Sequence, residues 1–231
     1  ACFKRSKLGV FEVNPSFAFS RPVLHLASRI LELATMHARL CGEANLVLEE
    51  EAAGSLLHQA MCEAIRDQLR EYYKVLAMLM AKVEAPDEGI SGAELGSQGQ
   101  TASRVPELSL IRLWNWLQEP MEKMRLLASI CGASSQLGGG AVASVVFGWS
   151  RVGDPAARTT CSIILRHVVR PLLAMIRAWM TEGELRDPFG EFFVCADSSV
   201  PLEDLWTRMY FLQIEMVPCF LTLALARKIV L

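Results

Sequence analysis

Two His-x3-Cys pairs are the residues in this chain most able to do chemistry: His37 with Cys41, and His58 with Cys62. Spacing of i,i+4 puts both members of a pair on one helix face. Two antiparallel helices could then bring two imidazoles and two thiolates to one zinc ion. The same four residues also lie near apolar stripes, where histidine and cysteine serve as ordinary core or boundary residues. A hydrolase would need a nucleophile, a base and a group that orients it. The chain has four histidines, and none sits in a glycine-framed or strand-end loop. Gly138-Gly139-Gly140 precedes a helix and could hold an anion at its N-terminus. It lacks the Lys-Ser/Thr of a phosphate-binding loop and any preceding strand, so a flexible helix connection is the simpler expectation. Between Pro155 and Thr181 stand four arginines, Arg158, Arg166, Arg170 and Arg177, and no acid. On a continuous helix they occupy about a third of the circumference. They form either a solvated face or a basic strip for an acidic protein surface. Glu49-Glu50-Glu51 and the Glu84–Glu94 stretch of a neighbouring copy or paralogue have the matching sign.

The elements that would position these groups read as helices. Ser20-Arg21-Pro22 has a cap and a first-turn proline, and Leu26, Ile30, Leu33, Ala34, His37 and Cys41 recur at helical spacing up to Gly42. A second helix, from Leu46 or Ser55 to Val83, carries Leu57, Met61, Ala64, Ile65, Leu69, Tyr72, Leu76 and Met80 on one side. Residues 84 to 107 are rich in Glu, Gly, Ser and Gln and read as a flexible surface loop. Pro120 divides the next helical stretch into Leu108–Gln118 and Met121–Cys131, meeting at an angle. A short helix over Ala141–Ser150 follows. Asp154-Pro155 starts a long one, which Pro171 should kink before Thr181. Leu202–Met216 is amphipathic and predicts another helix, after a turn at Ser198–Pro201. Pro218 to Leu231 predicts the last.

The long helix ends in the densest aromatic cluster of the chain, Trp179 to Val194. Gly183 suits the left-handed residue that closes a helix. Asp187-Pro188 forces a turn. Glu191-Phe192-Phe193-Val194 is short, extended and apolar. Such a cluster either plugs a core or lines a ligand pocket.

Bulk properties bound the rest. At 231 residues the chain can bury a sizeable core. It is 52% hydrophobic with only 8% aromatic residues, and its mean hydropathy is +0.28. Leu, Ala and Met favour helix over sheet. The apolar excess implies either a large core or surface meant for a partner. Net charge is −2, which gives non-specific nucleic-acid binding no electrostatic drive. Seven cysteines without a CxxC read as reduced thiols in a cytosolic protein rather than a disulfide framework. Met216–Ala226 is too short to span a bilayer, and Ala1-Cys2-Phe3-Lys4-Arg5 lacks the apolar run of a signal peptide. The start without Met and the end in mid-pattern suggest a piece of a longer protein.

The motifs in order resemble a known family. Trp179-x3-Gly183-Glu184-Leu185-x-Asp187-Pro188-Phe189-x-Glu191-Phe192-Phe193-Val194 is similar to the signature of the first GRIP region of the gamma-tubulin complex proteins. Leu69-Arg70-Glu71-Tyr72-Tyr73-Lys74-Val75-Leu76 resembles the family's second long helix, and Leu108 to Trp114 with Leu126-Leu127-Ala128 its next helices. Gly153-Asp154-Pro155, then Leu205-Trp206 with Tyr210, then Pro218-x-Phe220-Leu221 and Lys228 keep the family's order. Tyr72-Tyr73, Gly153-Asp154-Pro155, and Cys195-Ala196-Asp197 before Leu205-Trp206 look most like the third-component subfamily, although Pro188-Phe189 stands where that subfamily is expected to carry threonine-tyrosine. The resemblance implies an all-α domain of stacked, irregular helical bundles with at most one short extended segment. It implies an extended lead-in over residues 1–21 and an N-terminal GRIP-type domain over 22–231, with the C-terminal gamma-tubulin-binding domain outside this chain. The implied role is a non-enzymatic scaffold subunit with no cofactor and no metal. It would stand side by side with paralogous subunits in the ring that templates microtubules, at a microtubule organizing centre or spindle pole. Small helical accessory proteins are further candidate partners; nucleic acid and membrane are not. Trp179, Gly183, Leu185, Asp187, Pro188, Phe189, Glu191, Phe192 and Phe193 are the expected structural signature. Arg158, Arg166, Arg170, Arg177, Tyr72 and Tyr73 are the expected lateral interface. The alternative from another class is a helical zinc-binding or ligand-binding enzyme domain using His37, Cys41, His58 and Cys62.

Overall fold

Helices are the main content of the computed structural model, which describes residues 3–5, 10–14, 19–49, 55–84, 109–197 and 209–230. In order they are α1 (Arg21–Glu49), α2 (Leu56–Glu84), α3 (Leu110–Ser134), α4 (Gly140–Ser150), α5 (Pro155–Glu182) and α6 (Leu223–Val230). The all-α class holds. Extended structure is more than the single segment expected. Strands β1 (Phe3–Arg5) and β2 (Phe11–Val13) pair antiparallel within the lead-in. Strands β3 (Val194–Ala196) and β4 (Tyr210–Leu212) form a second antiparallel pair, with Val194 opposite Leu212 and Ala196 opposite Tyr210.

Helix starts follow the local chemistry of the sequence. Ser20 accepts the first helical bond of α1, from the amide of Leu24 at 3.0 Å. Ser55 caps α2, its hydroxyl accepting from the amide of His58 at 3.1 Å. Ser109 does the same for α3 through the amide of Arg112 at 3.3 Å. Asp154 caps α5 by accepting from the amides of Ala156 and Ala157, with Pro155 at the first helical position. The side chains of Ser55, Ser109 and Asp154 satisfy amides that have no partner inside the helix.

Three breakers do not break. Gly42 was expected to end the first helix, yet α1 continues to Glu49. Glycine inside a helix costs only about 1 kcal/mol relative to alanine. Pro120 lies inside α3, which is one helix rather than two. Proline in a helix interior costs about 3 kcal/mol. Leu117, Met121, Met124, Leu127 and Ile130 continue one buried stripe across the proline, and that burial outweighs the lost bond. Pro171 likewise leaves α5 continuous. Further along, the predicted helix over Leu202–Met216 is corrected where it can be seen. Tyr210–Leu212 is strand and Ile214–Met216 a single 3-10 turn, because this stretch pairs with β3. The last helix begins at Leu223, five residues after Pro218. On α2, Leu79 is buried and Met80 exposed, the reverse of the expected stripe. The 84–107 loop beyond Glu84, Glu50-Glu51, the Ser198–Pro201 turn and Leu205-Trp206 lie outside the described residues.

The chain divides into two compact units, 1–35 with 69–122, and 36–68 with 123–231. In the first, the amide of Phe11 donates to the hydroxyl of Thr35 at 3.1 Å. The Arg29 guanidinium lies 5.4 Å from the centre of the Trp114 ring, and the Lys82 ammonium 4.5 Å from that of Trp116. In the second, α4 packs along α5 and against the 3-10 turn, and α6 packs against β4.

A buried plug and an exposed helix face

The second unit is organised around Phe192 and Phe193. Both are buried, their ring centres 4.5 Å apart. Leu172 and Met175 of α5, Val194 and Ala226 complete the buried cluster, with Trp179, Leu185, Tyr210 and Leu212 packed around it. Local backbone chemistry delivers the phenylalanines there. Gly183 takes φ 68° and its amide closes α5 on the carbonyl of Trp179 at 3.0 Å. The Asp187 carboxylate then folds the chain back, accepting from the amides of Phe189 at 3.3 Å and Phe192 at 2.8 Å. The Trp179 indole donates to the carbonyl of Ile229 at 2.6 Å and meets Tyr210 edge-on, with ring centres 4.6 Å apart. Of the nine signature residues, Trp179, Leu185, Phe192 and Phe193 belong to this cluster. Gly183 and Asp187 make its turns. Pro188 and Phe189 sit exposed at the turn tip, outside the plug. The aromatic cluster is core rather than the lining of a pocket.

Glu191 has a role that sequence reading missed. It is 3% exposed. Its carboxylate accepts from the Ser55 hydroxyl and from the amides of Leu56 at 2.6 Å and Leu57 at 3.4 Å. A buried anion is thus satisfied by the first-turn amides and positive dipole end of α2. The signals in the sequence were its place in the structural signature and its position as one acid inside an apolar run; neither specified the contact with α2.

The glycine run before α4 is a packed corner rather than a flexible connection. Gly139 has φ 52° and is buried. A β-carbon on it would meet the carbonyl of Glu191 and, at 2.6 Å, the Met216 sulfur. One on Gly140 would collide with the carbonyl of Met216 and lie 2.9 Å from the Pro218 ring. Protein fills the space at this helix start, which leaves the anion-binding reading without room.

The two His-Cys pairs do not converge into a ligand set. His58 uses both ring nitrogens, Nδ1 at 3.1 Å from the Ser55 hydroxyl and Nε2 at 2.9 Å from the carbonyl of Ser134. A carbonyl only accepts, so Nε2 carries a proton. His37 Nε2 lies 3.4 Å from its own pair-mate, Cys41 Sγ, and burial pushes the His37 pKa down. Cys62 is buried. Among the described residues no three His, Cys, Asp or Glu side chains come together as metal ligands. Six described cysteines are free thiols, and burial raises the pKa of Cys161 and Cys195, which keeps them protonated.

The four arginines of α5 all face solvent. Among the described residues, none of their side chains makes an ion pair or hydrogen bond. Ile163, Leu173 and Met180, also exposed, stand among them. The opposite side of α5 is buried through Thr160, Cys161, Ile164, Val168, Leu172, Met175 and Ala178. By length and composition α5 could cross a membrane. Its apolar stripe is instead engaged by α4 and the plug. On α2, Tyr72 is half-buried, with its pKa raised by that burial, and Tyr73 is exposed. Their ring centres are 6.0 Å apart, beside a Lys74–Glu71 ion pair at 2.7 Å.

Comparison with known proteins places this arrangement. Residues 3–231 match the family model described as gamma tubulin complex component N-terminal. The chain is 31% identical over 221 residues to human gamma-tubulin complex component 3, covering 96% of the chain and 23% of that protein. It is 40% identical over 171 residues to gamma-tubulin complex component 3 of Arabidopsis thaliana, covering 74% of the chain and 19% of the relative. Spindle pole body component 98 of Dictyostelium discoideum is 29% identical over 202 residues, 76% of the chain and 25% of the relative. The chain therefore spans about a fifth to a quarter of the length of the curated relatives it matches.

Proposed function

This chain belongs to the gamma-tubulin complex component family, and from that premise we propose that it is the lateral-contact part of a scaffold subunit of the gamma-tubulin complex. It forms one N-terminal GRIP-type domain over residues 22–231, with no catalytic task. Neighbouring paralogous subunits stand beside it, and together they build the ring that templates microtubules. Gamma-tubulin itself is held by a C-terminal half beyond this stretch. The assembly works at a microtubule organizing centre or spindle pole. Its mechanism is geometric: rigid helices fix the spacing and tilt of neighbours, and so the position of each gamma-tubulin.

The observation that carries this reading is the two-sided character of α5. One side is fixed to a core by the plug. The other presents Arg158, Arg166, Arg170 and Arg177 with exposed apolar residues among them. A core-anchored helix whose cations have no ion-pair partner among the described residues, with apolar surface facing out, suits a protein interface better than a solvated face. The exposed Tyr73 with Tyr72 on α2 supplies a second candidate contact, since tyrosine gives large contact area at low entropic cost. Co-sedimentation of the chain with a paralogous subunit tests the proposal. Association is expected, and it should be lost when Arg158, Arg166, Arg170, Arg177 and Tyr73 are together replaced by alanine, which spares the buried plug. A chain that folds normally and never associates with any paralogous subunit would refute it.

A further inference from the structure

The outer face of α5 has a regularity beyond its charge. Ile163, Arg166, Arg170, Leu173, Arg177 and Met180 follow one another at spacings of three and four, and all six are exposed. This is the spacing by which one helix meets another along a seam. At 1.5 Å per residue it runs for about 26 Å. Around the helix axis, Arg166, Arg170 and Arg177 form the central column. Ile163 flanks it on one side, Leu173 and Met180 on the other. Leu173 is 56% exposed and Met180 65%. No acid lies between Pro155 and Thr181 to pair with the arginines.

We propose that this face is a docking seam for one amphipathic helix of a neighbouring subunit, whose contact side alternates carboxylates with apolar side chains. The assignment rests on the scaffold reading above and specifies the chemistry of its partner. Charge complementarity selects the occupant. Guanidinium groups donate two parallel hydrogen bonds to a carboxylate, and the flanking Ile, Leu and Met shield those pairs from water. A lipid surface is the wrong match. A helix lying in a bilayer interface centres its apolar residues and lets arginines at the flanks reach up to the headgroups. Here the arginines are central and the apolar residues flank them. A nucleic acid backbone would leave the exposed Leu173 and Met180 against phosphate, and the chain's net charge of −2 offers no attraction at longer range.

The test uses the 231-residue chain and two labelled three-heptad helical peptides, one with Glu and Leu alternating along its contact face, the other with Lys replacing each such Glu. Fluorescence anisotropy reads binding. Co-sedimentation with a paralogous subunit and with phosphatidylserine vesicles is measured alongside. The Glu peptide should bind and the Lys peptide should not. Arg166→Glu with Arg170→Glu should weaken Glu-peptide binding at least about tenfold, as expected when paired charges become repulsive. It should also confer binding of the Lys peptide, and abolish co-sedimentation with the subunit, while leaving the Tm unchanged. Leu173→Asn should weaken the Glu peptide without changing its preference over Lys. Equal behaviour of the two peptides, or tighter association with vesicles than with the Glu helix, overturns the proposal. Unchanged co-sedimentation of the charge-reversed chain overturns the seam while the scaffold reading stands. Failure of the parent chain to co-sediment overturns the scaffold reading itself.

Discussion

Helix α5 faces two environments, and the contrast between them separates what builds this protein from what it offers to others. Its inner side runs from Thr160 to Ala178 into the Phe192–Phe193 plug. There no buried side-chain nitrogen or oxygen among the described residues is left unsatisfied. Its outer side has the opposite character. Four arginines stand without ion pairs among the described residues, beside apolar side chains in contact with water. Changes in volume or hydrogen bonding should therefore cost stability on the inner side and little on the outer side.

Substitutions can break or sharpen that contrast. The largest effect belongs to Phe192→Ala, which empties the centre of the plug and should cost on the order of 3–5 kcal/mol by chemical denaturation. A loss below about 1 kcal/mol would mean the site collapses easily and the plug is not the anchor. Next, Glu191→Ala should cost about 1–3 kcal/mol, because it strands the amides of Leu56 and Leu57. Glu191→Gln keeps an acceptor and should recover part of the loss. A paired test of the glycines follows. Gly140→Ala places a methyl group against Met216 and Pro218 and should cost about 1–3 kcal/mol. Gly148→Ala, in a helix with open space around it, should instead stabilise by about 0.5–1 kcal/mol.

A smaller effect is set by pH. Burial holds the His37 pKa below its unfolded value of 6.5. The unfolded chain therefore takes up this proton first. The contribution is fully present above pH 6.5 and is lost as pH falls through the lower, folded value. His37→Gln should flatten the acid side of the stability curve between those two points. Smallest of all, Arg166→Glu with Arg170→Glu should shift stability by less than about 0.5 kcal/mol. A large destabilisation there would erase the distinction between the two sides of α5.

Legibility in the sequence followed the range of the interactions. The Asp154-Pro155 start and Gly183 stop of α5 were readable because a cap is made by residues a few positions apart. The Arg158–Arg177 strip was readable because helical period is local. Pro120 misled because its cost of about 3 kcal/mol is overruled by burial of flanking residues that no local pattern weighs, and Gly42 because a glycine inside a helix costs only about 1 kcal/mol. The strand at Tyr210–Leu212 was read as helix because its partner, Val194–Ala196, lies outside any helical window. The three glycines at the start of α4 looked flexible. Only the approach of Glu191 and Met216 explains why side chains are excluded there. The family resemblance was legible for another reason: it depended on the order of many motifs rather than on any contact.

The Glu191 clamp also carries a schedule. Its carboxylate and the amide of Leu56 are 135 positions apart. A ribosome adding roughly 5–20 residues per second needs about 7–27 s to cover that separation. The body of α2 can form within microseconds of leaving the exit tunnel, yet its first turn waits for an anion that has not been made. That turn is the last part of the helix to be secured during synthesis. It should also be the first to exchange its amide protons whenever the plug loosens.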